Sequence, residues 1–143
     1  MQLRLETDYA IRCLLYLADG HDGASSSSIG EAIGLSQIYA QKILSNLRSK
    51  GFVLVTRGSR GGYSLAKDPA DIIILDVISR IEGTIAINRC VEPDSYCNRD
   101  ASEVCQMHAF YESVQNLLEE VFGSTSLKDI MDRTYKLPVI ARR

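Results

Sequence analysis

Gly34-Leu-Ser-Gln-Ile-Tyr-Ala-Gln-Lys-Ile-Leu-Ser-Asn-Leu-Arg-Ser-Lys-Gly51, followed at once by Phe52-Val-Leu-Val-Thr-Arg-Gly-Ser-Arg-Gly-Gly-Tyr-Ser-Leu65, decides the fold. Gly34-Leu35-Ser36 reads as a tight turn, with Ser36 as the N-cap of a helix that buries Ile38, Ile43, Leu44 and Leu47. Gly51 supplies the left-handed stop. Residues 52–56 and 63–65 form two short strands around a glycine-rich basic turn, which is a β-hairpin. A shorter helix precedes the Gly34 turn, opened by the capping-box spacing Ser28-Ile-Gly-Glu31 and reaching Ile33. Two helices around a tight turn, then a hairpin, describe a winged helix-turn-helix.

Working outward, residues 7–19 carry Ile11, Leu14, Leu15, Leu17 and Ala18 at helical spacing, with Thr7 as N-cap. After Pro69, residues 72–81 form another helix that ends near Gly83. Residues 89–102 lack apolar periodicity and read as a loop. Beyond it Val104, Met107, Tyr111, Val114, Leu118 and Val121 recur at alternating intervals of three and four, ending at Gly123. That seam suits pairing with the same helix of a second subunit, the alternative being a helix packed on its own domain. A last short helix starts near Ser126. The fold expected is therefore mostly α with a small β-hairpin wing, a winged helix-turn-helix plus a long dimerisation helix. The expected parts are a DNA-binding domain at 1–67, a connecting helix and cysteine loop at 68–102, a dimerisation helix and short C-terminal helix at 103–135, and a flexible tail at 136–143.

The formal net charge is -2, but its distribution is uneven. Residues 36–67 hold six Lys/Arg (Lys42, Arg48, Lys50, Arg57, Arg60, Lys67) and no Asp or Glu, whereas residues 90–132 hold two Lys/Arg against nine Asp/Glu. A surface built only for solubility mixes signs; a basic segment that coincides with a helix-turn-helix and its wing is an electrostatic footprint for DNA. The second helix of such a motif presents its first turns to base edges in the major groove. Here those turns offer Ser36, Gln37, Tyr39, Gln41 and Lys42. Gln pairs bidentately with adenine, and Lys42 reaches guanine or phosphate. The wing adds Arg57, Ser59 and Arg60 for phosphate or minor-groove contact.

The opening residues show no apolar stretch suited to export, and the longest apolar runs are far too short to cross a bilayer. A cytoplasmic protein without a membrane partner is expected, so its four cysteines point to metal or redox chemistry ahead of disulfides. Cys90, Cys97 and Cys105 are spaced C-x(6)-C-x(7)-C, and His108 follows one helical turn after the last. Structural zinc sites use closer cysteine pairs; the looser spacing suits a bulkier iron–sulfur cluster. Cys105, in the first turn of the seam helix, has free N–H groups that favour a thiolate. Cys13, on the apolar side of the first helix, reads as a core thiol. No nucleotide-binding glycine motif or second catalytic constellation occurs, so an enzyme is not expected.

These features together resemble the Rrf-two family of bacterial regulators. The likeness is carried by residues 3–17 with Tyr9-Ala10, by Gly34-Leu35-Ser36, by Leu47-Arg48 with Gly51, by the wing from Arg57 to Leu65, and by the three-cysteine loop. It implies a homodimeric transcription regulator, a repressor, on a palindromic operator in double-stranded DNA, with a 2Fe–2S or 4Fe–4S cluster tuning affinity in response to cluster status, iron, redox or nitric oxide. Several members lack the cysteines, so the cluster is implied by the loop and not by the fold. His108 is similar to the fourth ligand of the cluster-biogenesis branch; Asp8 stands where the nitric-oxide branch supplies an Asp from the partner subunit. The two compete here, and the loop spacings exceed those of either branch. Gln41 replaces an acidic residue of the cluster-biogenesis branch, so its operator is not carried over. The alternative is a zinc-stabilised or cluster-free regulator of the same fold that senses through its thiols.

Overall fold

The computed structural model describes residues 2–59 and 61–139. Six helices and one hairpin follow in the order α1 (Leu5–Ala18), α2 (Ser26–Ile33), α3 (Gln37–Ser49), β1 (Val53–Thr56), β2 (Gly62–Leu65), α4 (Ile74–Glu82), α5 (Gln106–Gly123) and α6 (Leu127–Asp132), with short 3-10 turns at Pro69–Asp71, Arg89–Val91 and Ser102–Val104. The architecture is mostly helical with a small antiparallel wing, as expected.

Local chemistry accounts for the helix-turn-helix. The Ser25 hydroxyl accepts from Ser28 N (3.1 Å) and starts α2. The cap is thus Ser25, three residues before the Ser28 that the capping-box spacing suggested. Gly34 takes the left-handed conformation (φ 77°), and Leu35 N closes onto Gly30 O at 2.7 Å. Such a φ is strained for a side-chain-bearing residue, so glycine fits the turn. Ser36 then caps α3 by accepting from Tyr39 N (3.3 Å), as expected.

One core joins the elements. Leu14 and Leu17 of α1, Ile43, Leu44 and Leu47 of α3, Val77 and Ile78 of α4, and Leu127 of α6 are buried in one cluster. α6 is held there by a reciprocal Ser126–Asp129 capping box and by Leu127 N→Ile72 O (2.8 Å). Two expectations about the core and the start of α1 are also corrected. Ile38 is not in the core but 81% exposed, because it lies on the opposite side of α3 from Ile43, Leu44 and Leu47. Thr7 does not cap α1, which starts after Arg4; its buried hydroxyl instead donates to Glu82 at the end of α4.

The hairpin register is Val53↔Leu65, Leu54↔Ser64, Val55↔Tyr63 and Thr56↔Gly62. The α1–α2 connection adds to its edge through Gly23 N→Tyr63 O and Tyr63 N→Ala24 O, both 2.8 Å. A Cβ on Gly62 would stand 2.0 Å from Gly23 O, so only glycine permits that approach.

α5 differs from the other helices. Of its 18 residues only Gln115 is buried. Met107 and Phe110 are 51% and 58% exposed, and Tyr111, Val114, Leu118 and Val121 are half-buried. The seam starts inside the helix at Met107: Val104 precedes α5 in a 3-10 turn and is exposed, and Cys105 is the extended N-cap and not a first-turn residue.

Candidate nucleic-acid interface and cysteine site

Ser36, Gln37, Ile38, Gln41 and Lys42 are exposed along the first half of α3. Tyr39 is half-buried, packed edge-on against Tyr9 with ring centroids 5.9 Å apart, and Lys42 Nζ lies 5.9 Å from the Tyr39 centroid. Tyr39 therefore fastens the start of α3 to α1 and positions Lys42 more than it projects outward. Arg57 and Ser59 are exposed on the wing beside Gly58, whose φ is 114°. Arg60 lies outside the described residues. Lys42, Arg48, Lys50, Arg57 and Lys67 form no salt bridge with any described residue, so their charge is uncompensated locally. Long cations without carboxylate partners suit a polyanion.

The cysteine loop closes on itself. Asn88 caps the turn that carries Cys90. Arg89 donates to Glu92 Oε2 (2.8 Å) and to both carboxylate oxygens of Asp94, and its guanidinium lies 5.4 Å from the Tyr96 ring centroid. The Arg89 hydrogen bonds hold the Asp94 carboxyl below the ordinary carboxylate range. Cys90, Cys97, Cys105 and His108 all line one cavity of about 270 Å³, with Arg89 and Tyr96 among its other walls. Hydrogen bonds from Ala101 N and Arg99 N, joined by the Ser102 hydroxyl and Asp100 N, outweigh burial and lower the Cys97 thiol pKa. The turn that aims these donors is closed by Asp100 N→Cys97 O (3.1 Å) with Asp100 in the left-handed region (φ 49°). Cys105 occupies the N-cap position of α5 without a side-chain capping bond, where unpaired N–H groups favour an anion. His108 Nδ1 is buried and without a hydrogen-bond partner.

The four side chains share the cavity but do not converge on one point: among the described residues no three His, Cys, Asp or Glu side chains are grouped to hold a single metal ion. Asp8 is not part of this cavity; it pairs with Arg12 on the exposed face of α1 (2.9 Å). Cys13 is fully buried, and burial pushes its thiol up to about 12, the inert core thiol expected.

Sequence reasoning missed the Arg89 clamp, the Arg4–Thr7–Glu82 cluster and Gln115. Arg89 had a local signal in acids three and five residues on. The other two join residues distant in sequence and had none.

No helix among the described residues is long and apolar enough to cross a membrane. A family model described as an iron-dependent transcriptional regulator, Rrf2, matches residues 3–133. An HTH-type transcriptional regulator of Aquifex aeolicus (strain VF5) is 28% identical over 125 residues, 87% of each chain. Among solved structures, CymR (YrzC), the global cysteine regulator of B. subtilis, superposes with a TM-score of 0.77 at 26% identity, covering 93% of this chain and 98% of that one. IscR of T. potens superposes with a TM-score of 0.69 at 27% identity, covering 94% and 88%. These relatives are transcription regulators and not enzymes. A winged helix-turn-helix whose residues 36–67 carry only basic charges, matched over residues 3–133, places this chain in the Rrf2 family of DNA-binding transcriptional regulators.

Proposed function

We propose that the protein is a homodimeric repressor of the cytoplasm that binds a palindromic operator through α3 and the wing, with affinity set by an iron–sulfur cluster on Cys90, Cys97, Cys105 and His108. The observation that carries this reading is the shared cavity together with the orphaned, buried Nδ1 of His108. A buried ring nitrogen without a partner costs about 1–3 kcal/mol, which ligation would relieve. The donor set fits the group. Cys97 is surrounded by N–H donors, which stabilise sulfur ligands and tune clusters, and Cys105 sits at a helix N-terminus. A polynuclear cluster distributes its ligands over separate irons, so thiolates around it need not converge as they do on one zinc ion.

When bound, the cluster supplies a group that changes on oxidation, iron loss or attack by nitric oxide. The chain's own part is to hold the loop and pass on its geometry. Arg89 keeps the loop folded, and Gln115 ties its base to α5 by accepting from Ile87 N (2.9 Å). The partly exposed stripe of α5 from Met107 to Val121 is the dimer seam, which would fix the spacing of the two α3 helices on adjacent half-sites. Asp8 of the partner subunit is the competing fourth ligand.

Anaerobically purified protein should be coloured and contain iron and acid-labile sulfide. Ala at Cys90, Cys97 or Cys105 should remove the visible spectrum. Loss in His108→Ala but not in Asp8→Ala assigns His108; the reverse assigns a ligand crossing the dimer. A colourless, iron-free protein after anaerobic reconstitution would sink the cluster.

The lowered Cys97 thiol favours a second reading, sensing through thiol chemistry without a cluster. It fits the likeness to a cysteine regulator. That protein would be colourless, and reversible oxidation of its cysteines would change its DNA affinity.

A further inference from the structure

Ile38 is a large apolar side chain of α3 that the core does not use. It is the second residue of α3 and 81% exposed. At 3.6 residues per turn it stands about 140° around the helix from Ile43, and the residues that share its side are Gln41 and Lys42, at i+3 and i+4. An isoleucine is thus set into the polar, basic stripe of the proposed groove-reading helix, in the turn that approaches base edges most closely. Phosphate offers it nothing, and sugar contacts carry no sequence information. The apolar feature of the major groove is the thymine C5 methyl. Branching at Cβ leaves Ile38 nearly one rotamer in a helix, so it presents its methyl groups with little entropy to lose. Gln41, one turn on, has the amide that pairs with adenine. Resting on the reading of α3 as the helix that enters the groove, we infer that Ile38 is a specificity residue that packs on a thymine methyl, and that with Gln41 it selects A·T pairs in each half-site.

The test uses the full-length protein and a duplex selected by it from a library with a randomised core. Each thymine of that duplex is replaced singly by deoxyuridine, which removes only the methyl group. One position per half-site should lose about fourfold in affinity, the worth of one buried methyl group. Ile38→Ala should bind the thymine duplex more weakly and make thymine and uracil equivalent at that position. Because Ile38 is exposed, the variant should melt with the wild type. Indifference of the wild type to every replacement overturns the inference, as does an unchanged thymine-to-uracil ratio in Ile38→Ala. A library from which no duplex is enriched would overturn the assignment of α3 as the DNA-reading helix, and this inference with it.

Discussion

Replacing Glu82 removes the point at which the first and fourth helices are tied together. Its carboxylate is 12% exposed and accepts from Arg4 N (2.9 Å), Arg4 Nε (2.7 Å) and the Thr7 hydroxyl, while the Arg4 guanidinium also donates to Ile81 O. Arg4 is half exposed, so the ion pair itself is screened and worth up to about 1 kcal/mol. Thr7 is fully buried, and a buried hydroxyl left without a partner costs about 1–3 kcal/mol. Glu82→Ala should therefore destabilise by roughly 2–4 kcal/mol. Glu82→Gln keeps the shape but has one acceptor oxygen in place of two, and should cost roughly half as much. Burial would raise the Glu82 pKa, yet the hydrogen bonds from Thr7 and Arg4 with the Arg4 charge outweigh it and hold the group below its ordinary value. A folded-state pKa below the unfolded one means that this part of the stability is complete above about pH 4.3 and is lost as the pH falls through the folded value. Urea denaturation at a series of pH values reads both effects. The wild type should lose an acid-labile increment that the Gln variant lacks, the two curves converging at low pH. Superimposable curves, or a Glu82→Ala midpoint equal to the wild type's, would refute the assignment of the tie.

Leu118→Glu should place an uncompensated charge in the α5 seam at a cost of several kcal/mol, so sedimentation should find monomers; a stable dimer with normal DNA affinity would put the interface elsewhere. Gly62→Ala should push β2 off the α1–α2 connection, since its Cβ would meet Gly23 O at 2.0 Å and Gly23 C at 2.4 Å. A loss of about 1–3 kcal/mol with weakened DNA binding is expected, and calorimetry with a gel shift checks it. Cys13 should resist a maleimide in the native, metal-free protein and react only on unfolding, while Cys90, Cys97 and Cys105 react at once; mass spectrometry of the labelled chain would expose the opposite order.

The helix-turn-helix was legible because each signal in it is local. Ser36 caps the helix it precedes, Gly34 turns where glycine must, and Ile43, Leu44 and Leu47 keep one face. The errors came where a local signal had a tertiary competitor. Ile38 looks like core to a residue count, but its angular position on α3 sets it apart from the apolar stripe. Thr7 has a capping side chain, yet Glu82 sits within its reach after α4 folds back on α1. Ser25 and Ser28 are chemically equal candidates, and one more turn of helix decides between them. The cysteines, His108 and their spacing were readable; the cavity they share was not, because it depends on Arg89 folding the loop and on Asp100 turning it around Cys97.

In the proposed sensing role, the way the loop is anchored limits how a change in it would reach DNA. One end is fixed at Cys105, the cap of α5, and the other at Ile87, whose N–H is held by Gln115 of the same helix. Those two anchors lie about 15 Å apart along α5 at its ordinary rise per residue. A loop fastened at both ends to one helix pulls first on that helix. α5 buries one of its 18 residues, the smallest share of any helix, with Phe122 as its side chain packed on the core. Its inner side packs on α4, and α4 is joined to α1 through Glu82. α1 in turn carries Tyr9, against which Tyr39 of α3 is packed. A continuous series of packed and hydrogen-bonded groups therefore links α5 to the start of α3, and the proposed signal from the cysteine loop would travel along it to the helix proposed to read DNA.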